Sequence, residues 1–169
     1  MTTLNRKWAL RFVALAQHIA EWSKDEATKV GAVVVGPDRE IRATGYNGPP
    51  RGVRDTVARQ TDRDVKLLYT VHAEDNAIDQ AALIGVSLRG CTMYLSTLMP
   101  CAGCARSIIQ AGITSVVVPK LDVPARWKES IGAGLTMFKE AGVEIFCLDA
   151  PVRVKRKRAK VSAKKAKKI

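Results

Sequence analysis

Residues 89–113 read RGCTMYLSTLMPCAGCARSIIQAGI, and this stretch decides the fold. CTMYLS (91–96) is a short apolar run of the strand type, and a helix is expected after Pro100, ending at Ala111-Gly112. Glycine after the last helical residue is a common stop, because it accepts a left-handed backbone. A strand feeding a helix through PCAGC is one unit of an alternating α/β chain.

The same alternation extends both ways. Leu4, Trp8, Phe12, Leu15 and Ile19 recur at helical spacing. VGAVVV (30–35) and EIRATGY (40–46) are strands on either side of a Gly36-Pro37-Asp38 turn. A loop follows, NGPPRGVRD, and then a helix from Ala73 to Leu83 that ends at Gly85. After residue 113 come a strand at TSVVV (114–118), a helix from about Ala125 to Glu140, and a strand at VEIFCL (143–148). The order α-β-β-α-β-α-β-α-β predicts a layered α/β domain, a five-stranded mixed sheet flanked by helices. At 169 residues the chain can bury one core without disulfides. No run approaches a membrane span and MTTLNRKWAL has no apolar signal core, so a cytoplasmic protein is expected, with no membrane partner.

The charge is unevenly placed. The chain carries +12, yet residues 151–169 (PVRVKRKRAKVSAKKAKKI) hold ten Lys/Arg and no acid, so residues 1–150 carry 18 − 16 = +2. Two parts are expected: a folded domain at 1–150 and a basic, disordered tail at 151–169. The tail is either a solvated, solubilising segment or a weak binder of nucleic acid or another polyanion. It interleaves no aromatic residue, so nothing in it suggests base stacking.

Cys101 and Cys104 form the chain's one CxxC. A structural zinc site needs four protein ligands, normally from two such pairs. A redox couple at a helix N-terminus is open on these residues alone. Cys91 and Cys147 sit in apolar strand runs and read as core residues. Of the two histidines, His18 lies near the apolar face of the first helix and reads as structural. His72 opens a helix two residues before Glu74. Alone, His-x-Glu is weak. Together with PCAGC on a second helix N-terminus, it offers three metal ligands, His72, Cys101 and Cys104, and one open position. In that arrangement Zn²⁺ would lower the pKa of a water at the fourth position. In regular helix Glu74 would be offset from His72 by about 200°. With His72 at a cap, both reach one small volume, and Glu74 can act as general acid and base without ligating.

The paired motifs resemble the signature of zinc-dependent nucleobase deaminases. WSKDEATKVGAVVVGPDREI (22–41), GYNGPPRGV (45–53), VHAEDNAI (71–78) and residues 89–113 together are similar to the deoxycytidylate deaminases of the cytidine deaminase superfamily. The resemblance covers about Leu10 to Leu148 and excludes the tail. It implies a three-layer α/β/α cytidine deaminase-like fold, Zn²⁺ as cofactor, and a role in pyrimidine nucleotide metabolism. The implied reaction is hydrolysis of a cytosine nucleotide, dCMP to dUMP and ammonia, in a homo-oligomer. It also implies that Asn47 contacts the pyrimidine or sugar. The backbone near Ala73 and Cys101 should hold the base's polar edge, and that near Ser96 and Thr97 its amino group. On the residues alone, Asn47 is equally a turn asparagine before Gly48-Pro49, and Gly45 and Gly48 serve backbone shape.

A nucleotide also needs cations for its phosphate. Arg51 and Arg54 are the first candidates, with Arg59 and Arg63 in the same segment and Ser23 and Lys29 upstream. Val53 and the stretch RDTVARQTDRDVKLLY depart from the family pattern. Three alternatives remain on the sequence: a transfer-RNA-type base deaminase recruited by the tail, a deaminase of another small cytosine or purine compound, and a zinc-stabilised binding module without turnover.

Overall fold

Two strands, GAVVV and SVVV, have no polar side to turn to water, so each must be covered on both faces. The computed structural model describes residues 4–121 and 123–149 and places these strands inside a five-stranded sheet. Its order is β2 (Ile41–Tyr46), β1 (Gly31–Val35), β3 (Thr92–Leu95), β4 (Ser115–Val118), β5 (Glu144–Cys147). β1 pairs antiparallel with β2 and β3, whereas β3, β4 and β5 run parallel, so the sheet is mixed as expected. The edge strand β2 alternates in burial, as a one-sided strand should.

The pleat sends alternate residues to two cores. Helix α1 (Arg6–Ala20) packs Ala9, Phe12, Val13, Ala16 and Ile19 against Val33, Val35, Tyr94 and Val117. On the other face, Ala32, Val34, Met93, Leu95, Val116 and Val118 meet α4 (Ala73–Ile84), α5 (Ala102–Gln110) and α6 (Lys128–Ala141). The result is the three-layer α/β/α arrangement. Cys91 and Cys147 are buried, as their strand context requires. His18 differs from expectation: it lies on the exposed side of α1, with its ring edge-on to Trp22 at 6.3 Å.

The helix ends follow local chemistry with one revision. Gly85 and Gly142 adopt φ 72° and 75° after α4 and α6. Pro100 does not lie in the first turn of α5. It precedes Cys101, which is the cap. The stretch 54–69, which departs from the family pattern, is not only loop. It contains two short helices, α2 (Val57–Thr61) and α3 (Arg63–Tyr69). Asp62 caps the second by accepting from the amides of Asp64 and Val65. The boundary expected at residue 150 and the tail lie outside the described residues.

Gly45 has a role that turn chemistry did not suggest. A Cβ there would lie 2.3 Å from the Ala73 carbonyl oxygen and 2.5 Å from the Ala77 amide nitrogen. The glycine therefore lets α4 lie directly on β2, which fixes where α4 begins.

Candidate active site

His72 and Cys101 occupy equivalent places. Each is the N-cap of a helix, with extended backbone at φ −72°, ψ 156° and φ −71°, ψ 173°. Each gives its carbonyl to the first helical hydrogen bond, from Asn76 and Ala105 respectively, both at 2.9 Å. Neither side chain caps its own helix. A cap position usually carries Ser, Asp or Asn for that purpose. Here the two side chains turn toward each other instead.

They meet Cys104, on the first turn of α5 and fully buried. His72 Nδ1 lies 3.2 Å from Cys104 Sγ and 3.5 Å from Cys101 Sγ, and the two sulfurs are 3.6 Å apart. A tetrahedral zinc with ordinary Zn–S and Zn–N bonds sets its ligand atoms about 3.6–3.8 Å apart. The donor set therefore fits zinc with little movement.

The charges fit as well. A hydrogen bond from Cys104 and another from His72 pull the Cys101 thiol down to about 3 despite burial. The hydrogen bond to Cys101, then burial, pushes the Cys104 thiol up. His72 rises to about 9 through its hydrogen bond to Cys101, aided by the charges of Glu74 and Asp75. Asp75 adds a buried Oδ1 that has no hydrogen-bond partner among the described residues, and its Oδ2 accepts from Cys104 Sγ at 3.5 Å. A thiolate and two carboxyls thus converge on one imidazole. Among the ligand residues, Cys104 and His72 retain the protons that a bound dication would displace.

The ligand set opens on one side into a cavity of about 290 Å³, lined in part by His72, Ala73, Glu74 and Cys101. Glu74 is 5% exposed. Burial pushes its carboxyl up to about 7, against the lowering effect of His72. A carboxyl that exchanges its proton near neutrality, beside an open metal position, suits general acid–base work.

The expected substrate contacts fall into two groups. Asn47 is buried and lines the cavity, but its amide is already engaged. Nδ2 donates to Thr28 O at 2.9 Å and Asp25 Oδ2 at 3.3 Å, and Oδ1 accepts from the Val30 amide at 2.8 Å. One lone pair of Oδ1 is left for a ligand. Ser23 donates to the Asn47 carbonyl at 2.8 Å and so holds the asparagine in place. Ser96 and Thr97 are not in the cavity wall, which begins at Leu98; the Ser96 hydroxyl accepts from the Gly31 amide at 2.9 Å. Of the arginines, Arg63 lines the cavity. Arg54 and Arg59 line a smaller cleft of about 30 Å³ beside it. Arg51 lines neither and donates to Gln80 of α4, and Lys29 pairs with Glu21.

Several wall residues carried no signal in the sequence. Trp127 sets its ring edge-on to His72, centroids 5.9 Å apart at 82°. Arg126 beside it lines the cavity and forms no ion pair among the described residues. Lys66 lines it too, paired with Asp25 at 2.7 Å. Asp75 follows Glu74 directly, yet an acid in a first helical turn reads as ordinary surface.

Comparison with known proteins agrees with this geometry. Residues 6–120 match the family described as the cytidine and deoxycytidylate deaminase zinc-binding region. The chain belongs to the cytidine and deoxycytidylate deaminase family. It is 44% identical over 141 residues to an uncharacterized deaminase in the luxG 3′ region of Aliivibrio fischeri, with 82% of this chain and 92% of that one aligned. It is 37% identical over 142 residues to mouse deoxycytidylate deaminase, covering 81% of this chain and 77% of the relative. Among solved structures it resembles the dCMP deaminase of cyanophage S-TIM5 in complex with dCMP and dUMP. The TM-score there is 0.69 at 26% identity, covering 86% of this chain and 99% of the other. As a family deaminase the chain is a hydrolase, and its matched segment contains His72, Glu74, Cys101 and Cys104 but ends before Arg126 and Trp127.

Proposed function

We propose that this deaminase hydrolyses dCMP to dUMP and ammonia, with zinc held by His72, Cys101 and Cys104 and with Glu74 moving the proton. The observation that carries the reading is a buried carboxyl, Glu74, in the same cavity wall as two of the three ligand residues. Deoxycytidylate as substrate is supported by the mouse relative and by the nucleotide-bound cyanophage enzyme.

Bound by the three ligands, zinc supplies Lewis acidity at its fourth position, where a water would sit. Glu74 takes a proton from the attacking water as the C4–O bond forms and gives it to N3 of the pyrimidine. It then takes the remaining proton from the new C4 hydroxyl and passes it to the amino group, so that the C4=O bond forms as the C4–N bond breaks and ammonia leaves. The backbone at Ala73 and Cys101, in the cavity wall, is suited to hold the polar edge of the base, whereas Ser96 and Thr97 lie outside that wall and receive no substrate contact in this reading. The free lone pair of Asn47 Oδ1 would accept a sugar hydroxyl. For the phosphate, Arg63 and Arg126 are better placed than Arg51, with Arg54 reaching from the adjoining cleft. Thiolate ligands and a free nucleotide substrate suit a reducing, cytoplasmic compartment. Among the described residues no helix is long and apolar enough to cross a membrane. Exposed Val57, Leu68 and Leu83, at 79%, 84% and 67%, support self-association into a homo-oligomer.

The test is ammonia release from dCMP, deoxycytidine and dCTP by the zinc-loaded chain. dCMP should be turned over in preference. Turnover of free cytosine compounds or of a purine base, with dCMP untouched, would sink the substrate assignment.

A further inference from the structure

The first amides of a helix have no carbonyl within that helix to meet, and the side chain of the cap residue normally accepts from one of them. In α5 the cap is Cys101, whose sulfur faces His72 and Cys104 instead. An acceptor comes from another helix. The Ala102 amide, the first of α5, donates to the Ser130 hydroxyl of α6 at 3.0 Å.

The close approach of α6 depends on a residue one turn further on. Ser130 and Gly134 stand four apart and so share a helix face. A Cβ on Gly134 would lie 3.2 Å from the Pro100 carbonyl oxygen, 3.4 Å from the Ala105 Cβ and 3.5 Å from the Cys101 carbonyl oxygen. Gly132 in the same helix would meet nothing within 4 Å. Glycine is a poor helix former, so at position 134 its small size is the asset. Ile131, on the same stripe, is buried and lines the cavity. The stripe ends at Trp127, edge-on to His72.

We propose, resting on the zinc ligands assigned above, that Ser130 and Gly134 are positioning residues for Cys101. Each holds a different side of that residue. Gly134 seats α6 against the Pro100–Cys101 peptide, and Ser130 fixes the Cys101–Ala102 peptide through its amide. The two backbone dihedrals of Cys101 lie between those peptides, and they aim its sulfur. A metal site accepts its ligand atoms only within a few tenths of an ångström. One face of α6 therefore does for Cys101 what a hydrogen bond to the far nitrogen does for a ligating histidine: it sets the direction of the ligand without touching the metal. Ser130 also satisfies an amide that the diverted cap would leave without a partner.

The experiment loads the full chain with cobalt(II), whose thiolate charge-transfer band reports sulfur ligation and whose d–d bands report geometry. A parallel measurement follows zinc transfer to a chelator. Ser130→Ala and Gly134→Ala should both keep the charge-transfer band but change the d–d bands. Zinc should leave Ser130→Ala about tenfold faster than the parent. Ser130→Thr keeps the hydroxyl and should restore both readings. Thr136→Ala is the control, because that hydroxyl donates to the Gly132 carbonyl at 3.0 Å on the exposed side of α6; it should change neither reading. Positioning is overturned if both alanine variants keep the parent's d–d bands and zinc release, if Ser130→Thr behaves like Ser130→Ala, or if Thr136→Ala does. A failure of the ligand assignment itself looks different: the parent would lack the charge-transfer band, or Cys101→Ser would keep it at full strength. No substrate is involved, so the dCMP assignment stands or falls separately.

Discussion

His72 and Cys101 approach the cavity from helix ends fixed by the sheet behind them, whereas Arg63, Lys66 and Arg126 reach it from short helical segments. The difference lies in what each set stands on. α4 and α5 bury Ala73, Ala77, Ala81, Cys104, Ala105 and Ile108 in the larger core. α2, α3 and the single turn at Ala125–Trp127 bury no residue. The floor is thus anchored and the rim is lightly held. Bond chemistry at an open metal position needs ligands placed within tenths of an ångström, while substrate capture tolerates and uses movement. The two parts should therefore fail differently.

The floor should fail completely. Glu74→Gln keeps the shape but removes the proton carrier, and turnover should fall by about 10²–10⁴ or more with zinc content unchanged. An active, zinc-loaded variant would take Glu74 out of the reaction. The same change should stabilise the zinc-free protein. The Glu74 carboxyl is raised from 4.5 to about 7 by burial, so its ionised form costs stability that grows as pH rises from 4.5 toward 7 and is fully felt above it. The melting temperature of the variant should exceed the parent's at pH 8 and match it near pH 4. Equal melting at both values would mean that Glu74 is not desolvated.

A second cut at the floor goes through the sheet. Gly45→Ala drives a methyl into the backbone of Ala73 and Ala77, and neither can yield without moving α4 and His72. We expect a loss of about 1–3 kcal/mol of stability, the usual cost of overpacking, together with weaker zinc retention on dialysis. Gly48→Ala is the control, since the nearest atom to its Cβ would be 3.8 Å away on Tyr46. If both variants keep zinc equally well, α4 is not seated by Gly45.

The rim should fail by degrees. Arg126→Gln should raise KM for dCMP by about tenfold, the value of one charge-assisted hydrogen bond, and leave kcat and deoxycytidine turnover unchanged. Arg126→Lys should recover part of the loss, as charge without the planar fork. Arg63→Gln should do less, because Arg63 already sits 4.0 Å from Asp64. A fall in kcat with an unchanged KM would place Arg126 outside phosphate binding.

This contrast also explains what could be read from the sequence. His72, Glu74, Cys101 and Cys104 stand in short motifs whose spacing directly encodes two helix N-termini, so the floor was visible before the fold was. GAVVV and SVVV announced buried strands in the same way. Arg126, Trp127 and Lys66 become site residues only through tertiary contact, and no spacing relates them to His72. α2 and α3 were hidden because their apolar residues, Val57 and Leu68, face outward and so break the pattern that marks a packed helix. Gly45 looked like a turn glycine. Its reason lies in α4, about thirty residues away in sequence.

Asp25 joins floor to rim and gives the smallest and most discriminating prediction. Its Oδ1 accepts from the amides of Ala27 and Thr28 at 2.9 and 3.0 Å, while Oδ2 holds Lys66 and the Asn47 amide. Burial pushes the Asp25 carboxyl up, but the Lys66 hydrogen bond and the two amides outweigh it and carry it below 3.8. A depressed carboxyl contributes stability that is present above its unfolded value and lost as pH falls through the lower folded one. Acid unfolding of the parent should therefore draw on Asp25 only below about pH 4. Lys66→Met removes one of several supports from a partly exposed pair, so the expected loss is about 1 kcal/mol or less at neutral pH, with the acid midpoint moved upward. The variant also separates two roles for Lys66. As a strut for Asp25 it should shift the acid midpoint and leave KM for dCMP alone. If KM instead rises as far as in Arg126→Gln while the acid midpoint stays put, Lys66 belongs with the phosphate-binding rim and the anchored floor ends at Asn47.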